Sequence, residues 1–295
     1  MSSSTLTRVL TALAPFCVLL VLGCAESSQT RVQVPLEVQG TASAGPRMAL
    51  GAVPVTLTRA DLAFGPLYLC AGAQAGELCE TARLEWLDTV VVDALDPTAQ
   101  EAGTLYGVSG VVQSWMFDLG ISAQLTRDEP FVLDAAEALD GASLVLEGSA
   151  EVSGITVPFV ARVPVQQTDA TELGVPVVRK SSSDVFREDV DGAERALQVR
   201  FDPAAWLAGV DLRSLVTFET CAPDETALRC DGVVEWTCDA GTNTSRDCGA
   251  LGQVCAPGAG CVDQVELAPG SEPFRALRNA LVAGQRPTFT FIEND

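Results

Sequence analysis

Histidine is absent from the 295 residues, and lysine occurs once, at Lys180. Without an imidazole the chain cannot build a Ser-His-Asp triad, a Cys-His pair or a His-based zinc, copper or haem site. The segment around Ser109 approaches the G-x-S-x-G nucleophile motif, but Val111 stands where the second glycine belongs. The S-x-x-K order of a Ser/Lys hydrolase is also missing at Lys180. These absences predict a protein that is not an enzyme.

Basic side chains are few, 18 against 39 acidic ones, which gives a net charge of −21. Such a surface repels nucleic acid and anionic lipid headgroups, so nucleic acid is excluded as a partner. One acidic cluster surrounds Gly192 and suggests calcium, because hard oxygen ligands beside a glycine turn suit that ion. The alternative is a solvated acidic loop, since the spacing differs from that of an EF-hand. The candidate ligands are Glu188, Asp189, Asp191 and Glu194.

Long apolar runs are also missing, except for Val9 to Leu22. No later segment approaches the roughly 20 apolar residues of a transmembrane helix. Arg8 precedes the run, and small and polar residues follow it, which is the order of an export signal. The sequence therefore predicts a signal peptide over residues 1–23, with a buried N-terminal helix as the alternative.

The four residues Val21-Leu22-Gly23-Cys24 resemble the lipobox of bacterial lipoprotein precursors. In that family the cysteine is acylated with chains such as palmitate, and the signal is cut just before it. The resemblance implies a lipid on Cys24, a lipid-anchored linker over residues 24–30 and a place in the cell envelope. Ala25 stands where the family's inner-membrane retention signal has Asp, so the resemblance favours the outer membrane.

Ten cysteines are present. Cys17 lies in the signal and Cys24 would carry the lipid, so an even number remains for disulfides in an oxidising compartment. Zinc is disfavoured because no C-x₂₋₄-C pair occurs. The connectivity of the six cysteines in residues 221–261 has fifteen possibilities and stays open. The remaining cysteines are Cys70, Cys79, Cys221, Cys230, Cys238, Cys248, Cys255 and Cys261.

The segment with six cysteines resembles small Cys-rich modules of bacterial surface lipoproteins. The likeness is carried by Cys230-Asp231-Gly232-Val233-Val234 and by the run from Cys248 to Cys255. It implies no chemistry. We expect residues 221–261 to form a small disulfide-rich insertion, with residues 31–220 and 262–295 forming one β-domain.

Alternating apolar residues dominate the rest of the chain and predict an all-β fold, mainly an antiparallel β-sandwich. Val32 to Val38 alternate, and Pro35 within that run suggests a sheet edge. Two runs joined at Ser153-Gly154 predict a tight hairpin. One C-terminal amphipathic helix is expected from Glu272 to Ala283, with Ser271 as its cap and an apolar stripe at helical spacing.

Three segments resemble the MbnP-like periplasmic proteins of methanobactin operons. They are Val55 to Leu62, Phe201 to Leu207 and the helix-strand pair from Phe274 to Phe291. The resemblance implies a β-sandwich and, in some members of the family, copper binding. No copper ligand can be carried over to a residue of this sequence.

We therefore expect a non-enzymatic, membrane-anchored lipoprotein of the cell envelope that binds a protein or glycan partner or has a structural role. One alternative is a periplasmic domain that handles copper or calcium, and another is a carboxylate-based hydrolase. Among the four tryptophans, Trp86, Trp115 and Trp206 lie in apolar patterns typical of a core. Trp236 is the one expected to be more exposed.

Overall fold

The structure is a computed structural model, and strands dominate the part of the chain that it describes. Among the helices in that part, none combines the length and apolar character that crossing a membrane requires. Arg31 to Asp295 form one unit by their internal contacts. The described residues are 29–42, 47–72, 81–122, 131–164, 180–181, 187–191, 195–217, 227–239, 242–283 and 286–293.

The strands of the first half of the chain are β1 Arg31–Gln39, β2 Arg47–Ala49, β3 Val53–Phe64, β4 Leu67–Cys70, β5 Ala82–Trp86, β6 Val90–Asp93, β7 Gln100–Val108, β8 Gly110–Val112, β9 Ser114–Phe117, β10 Ile121–Ser122, β11 Phe131–Val132, β12 Ala142–Val152 and β13 Ile155–Pro164. Strands such as β1 and β13 alternate between buried and less buried residues, as sheets with one apolar face require, whereas β4 and β9 are buried along their whole length.

The strands of the second half are shorter and include those of the Cys-rich segment. They are β14 Lys180–Ser181, β15 Glu188–Val190, β16 Arg195–Arg200, β17 Ala227–Asp231, β18 Val234–Asp239, β19 Thr242–Asp247, β20 Val254–Ala256, β21 Gly260–Val262, β22 Val265–Glu266 and β23 Thr288–Glu293.

One sheet has eight strands in the order β14-β9-β4-β5-β7-β1-β16-β23. Its pairs are antiparallel except β1 with β16, which run parallel. The prediction that Pro35 marks a sheet edge is wrong, because β1 lies between β7 and β16. Pairing with β16 begins only at Leu36, opposite Leu197, so Pro35 sits where one side of the strand has no ladder partner.

The second sheet has six strands, in the order β2-β3-β12-β13-β22, with β6 also pairing β3. The predicted hairpin at Ser153-Gly154 is confirmed, since Val152 pairs with Ile155 across a two-residue turn. Both turn residues have positive φ, 51° at Ser153 and 81° at Gly154, which is the geometry of a type I′ turn.

The main hydrophobic cluster of the described residues joins the inner faces of the two large sheets. Leu36 and Leu197 from the eight-stranded sheet belong to the same buried cluster as Leu62, Leu144 and Phe159 from the six-stranded sheet. Two sheets that share one apolar layer form a β-sandwich. The predicted all-β, mainly antiparallel fold class is therefore confirmed.

Three α-helices occur in the described part of the chain, and the longest carries the cap that the sequence predicts. They are α1 Asp134–Glu137, α2 Pro203–Leu207 and α3 Glu272–Ala283. Asp202 caps α2 by accepting a hydrogen bond from the backbone N–H of Ala204. The Ser271 hydroxyl accepts one from the N–H of Phe274 at 3.3 Å. The predicted helix over Glu272–Ala283 thus has the predicted bounds and cap.

The Cys-rich segment forms two small sheets of its own, a three-stranded one in the order β17-β18-β19 and the two-stranded β20-β21. The segment is joined to the sandwich by a backbone hydrogen bond near β17 and by the chain that follows β21. The N–H of Gly232 donates to the carbonyl of Thr217, and the chain leaves β21 directly into β22 of the six-stranded sheet. The expected limits of this insertion, residues 221 and 261, stay a prediction.

Candidate functional site

A cleft of about 650 Å³ opens where the Cys-rich segment meets the sandwich. Four pieces of chain line it: Ser214 and Leu215 of a 3₁₀ turn, the β20-β21 hairpin, β22 with its flanking residues, and the start of α3. This volume lies within the roughly 300–1,000 Å³ range of ligand sites in proteins. The cleft is therefore a candidate binding site among the described residues.

The floor of the cleft is apolar and its rim is polar. Leu215, Val265 and Leu267 are buried and belong to the main hydrophobic core. The carboxylates of Glu266 and Glu272 stand on the exposed rim. An apolar floor with a few polar groups at its edge suits an apolar ligand group that carries polar or charged neighbours.

Two disulfides hold the hairpin side of the cleft in place. Cys255 and Cys261 lie opposite each other in the β20-β21 ladder, but they are not bonded to each other. Cys255 is bonded to Cys230 of β17, and Cys261 is bonded to Cys248. The carboxylate of Glu235 accepts a hydrogen bond from the N–H of Cys261 at 2.8 Å. The hairpin is thus cross-linked from both strands, so one wall of the cleft keeps its shape.

Removing the Cys230–Cys255 bond with a double alanine variant is expected to lower the free energy of unfolding by about 3 kcal/mol. The bond closes a loop with a sequence separation of 25 residues, and closure of such a loop restricts the unfolded chain. Urea denaturation of the variant and the parent measures the difference. Thr244→Ala on the exposed face of β19 is the control, with a change of at most about 0.5 kcal/mol. A loss below 1 kcal/mol in the double variant, by the same approximate scale, would contradict the expectation.

All six described cysteines are in disulfides, as the sequence predicts for residues outside the cytoplasm. The predicted sites at Cys24, Cys79 and Cys221 lie outside the described residues. The six are Cys70, Cys230, Cys238, Cys248, Cys255 and Cys261.

The predicted calcium ligands are not brought together among the residues that the structure describes. Glu188 and Asp189 are successive residues of β15, so their side chains leave opposite faces of the strand. Arg195 lies beside both, with its Nη1 3.6 Å from the Glu188 carboxylate and its Nη2 donating to the Asp189 carbonyl at 2.8 Å. Asp191 follows the strand, and Glu194 is not among the described residues. The calcium site stays a prediction.

Three potential metal ligands do lie within 4.8 Å of one another in the described part of the chain: Glu235, Cys248 and Cys261. The two cysteines are bonded to each other, so neither offers the thiolate that binds a metal. The Glu235 carboxylate is already engaged with the Cys261 N–H. This group is therefore a structural contact of the hairpin.

A pair of carboxylates with one cation lies on the outer side of the six-stranded sheet. Arg59 donates to Asp61 at 2.6 Å and to Glu147, on the neighbouring strand, at 3.1 Å. The hydrogen bond to Asp61 is the main cause that raises the pKa of Arg59. A glycoside hydrolase needs its two carboxylates facing a substrate, whereas these two face a shared guanidinium. The hydrolase alternative gains no support from them.

The tryptophans follow the sequence-based expectation. Trp86, Trp115 and Trp206 are buried in the main core. Trp236 of β18 is half-buried. The three buried rings are therefore unavailable for stacking on a sugar.

No protein-family model and no curated protein sequence matches this chain. Among solved structures, MbnP from Methylosinus trichosporium is similar at 14% sequence identity. The alignment covers 83% of this chain and 97% of that one, and its TM-score is 0.34. This is the same type of protein that three segments of the sequence resemble. A TM-score of that size supports no inference about ligands or function.

The cleft itself could not be found from the sequence. Its lining comes from residues 214–215, 256–262, 264–268 and 271–273, and each piece is ordinary when viewed alone. The sequence predicts only that Cys255 and Cys261 belong to a disulfide-rich insertion. The disulfide partners of those two cysteines, Cys230 and Cys248, could not be chosen from the sequence, and these bonds fix the wall of the cleft.

Proposed function

We propose that this protein is an exported, lipid-anchored protein of the cell envelope that binds a partner protein through the cleft beside the Cys-rich segment. The observation that carries the proposal is the cleft with its apolar floor and its disulfide-linked wall. A preformed site loses less conformational entropy on binding than a mobile one does. A protein partner is favoured over a glycan because no aromatic ring that could stack on a sugar occurs among the described residues that line the cleft.

The export part of the proposal is supported by the cysteine chemistry. Disulfides form and persist outside the cytoplasm, and every described cysteine is oxidised. The lipobox-like residues ending at Cys24 would keep such a protein at a membrane through its acyl chains. An anchor of this kind suits a binding protein, because it concentrates the site near partners in the same envelope.

The binding role is tested by photo-crosslinking in intact cells. A photoreactive residue at Ala268, exposed on the cleft rim, is expected to cross-link one discrete envelope protein, identified by mass spectrometry. The same residue at Thr290, exposed on β23, is the control and is expected to give no such product. Ala259→Trp, which fills the cleft, should remove the Ala268 product.

A product that survives the Ala259→Trp change, or that also forms from Thr290, would show that the cleft is not the binding site. If neither Ala268 nor Thr290 gives a cross-linked product, that result counts against the binding role itself. The anchoring part has its own test at Cys24.

A further inference from the structure

The rim of the cleft carries negative charge that its lining does not neutralise. Glu266 and Glu272 supply carboxylates, and no lysine or arginine occurs among the described residues that line the cleft. Arg213, next to the lining, is held by Asp211 through hydrogen bonds of 2.9 and 2.6 Å. That interaction is the main cause that raises the pKa of Arg213, with Glu272 making the smallest contribution.

The whole chain reinforces this local charge. With a net charge of −21, the protein attracts cations over a distance and repels acidic partners. Complementary charge speeds association and selects the partner more than it adds affinity. A ligand for this cleft therefore needs an apolar part for the floor and positive charge for the rim.

The strand at the base of the cleft offers backbone groups as well. β22 is the end strand of the six-stranded sheet among the described strands, and it pairs only with β13. The N–H of Leu267 donates to the Val160 carbonyl at 2.8 Å, so this group faces β13. Backbone groups alternate in direction along a strand, so those of Glu266 face away from β13. An extended peptide laid along that edge would meet the N–H and the C=O of Glu266.

We propose that the ligand of this cleft is an extended, positively charged peptide segment of the partner. Its apolar side chains would contact Val262, Val265 and Leu267, and its lysines or arginines would pair with Glu266 and Glu272. The inference rests on the proposed function, because it names the chemistry of the partner at the same site. The proposed ligand is a basic peptide. A preference for a neutral apolar peptide would appear in the test below as equal binding of the glutamine peptide.

The test uses the full-length protein in detergent and three fluorescent ten-residue peptides. One peptide alternates valine with lysine, the second valine with glutamine, and the third valine with glutamate. Fluorescence anisotropy is expected to show binding of the lysine peptide at low salt. Binding should weaken as ionic strength rises, since exposed ion pairs are screened. The glutamine and glutamate peptides should bind at least about tenfold more weakly.

Two matched double variants locate the effect. Glu266→Gln with Glu272→Gln should weaken the lysine peptide about 3- to 10-fold, because each exposed ion pair contributes a modest amount. Glu85→Gln with Glu101→Gln removes the same charge from exposed positions on the eight-stranded sheet and should change the affinity less than about twofold.

Equal binding of the glutamine peptide, or equal weakening by both double variants, would overturn the inference. So would the failure of all three peptides to bind. In each of these cases the cross-link from Ala268 decides whether the binding role itself survives. A cross-link that depends on the cleft, together with failed peptides, rejects the basic peptide and keeps the proposed function.

Discussion

Replacing Cys24 with alanine is expected to abolish acylation of the protein nearly completely. The thioether to the lipid requires the cysteine sulfur, and alanine has none. Several acyl chains together make a stable anchor, because each buried CH₂ group contributes about 0.8 kcal/mol. Metabolic labelling with radioactive palmitate measures the effect, and mass spectrometry of the purified protein shows whether residues 1–23 are still attached. We expect the variant to keep them, since in the lipobox family the signal is cut just before the cysteine that alanine replaces.

Cys17 supplies the matched control, because it is a second cysteine only seven positions earlier in the same segment. The Cys17→Ala variant should be labelled as strongly as the parent and should lose residues 1–23. Label that remains in the Cys24 variant, or disappears from the Cys17 variant, would show that the anchor is misplaced. An unlabelled parent protein would remove the anchoring proposal and leave the cleft to be judged separately.

Replacing Phe64 with alanine is expected to destabilise the fold by about 3–5 kcal/mol. Phe64 is fully buried at the end of β3, where its ring lies 5.2–5.9 Å from those of Trp86, Phe117 and Phe201. These neighbours come from separate segments, so the lost ring leaves a cavity that no single element can close. Urea denaturation monitored by tryptophan fluorescence gives the change in the free energy of unfolding.

Two further variants keep this prediction testable if Phe64→Ala fails to fold. Phe64→Leu should be destabilised by a smaller amount, because it leaves a smaller cavity. Leu87→Ala, at a side chain that is 56% exposed, should change stability by no more than about 0.5 kcal/mol. A Phe64→Ala variant no less stable than Leu87→Ala would mean that the core is not centred on this ring.

The elements that sequence predicts best are those whose causes are local. The hairpin at Ser153-Gly154 follows from two alternating runs and a turn that tolerates positive φ. Helix α3 follows from the apolar stripe of Phe274, Leu277 and Leu281, all of which are buried. In both cases the residues that decide the structure lie within a dozen positions of one another.

The features that sequence misses depend on contacts between distant residues. Leu36 pairs with Leu197 in parallel, and no local pattern around Pro35 predicts that β1 pairs with a strand so much later in the chain. The choice among fifteen disulfide pairings depends on which sulfurs the small sheets bring together. The cleft combines both problems, because its walls belong to segments that only the folded chain makes adjacent.

The position of β1 in its sheet governs when this protein can finish folding. β1 has β7 on one side and β16 on the other, and β16 in turn pairs with β23. When the chain emerges amino end first, β1 is therefore present long before β16, its parallel partner. Such long-range pairing folds slowly. Until residues 195–200 arrive, the edge of β1 that later pairs with β16 presents backbone groups to which another strand could bind.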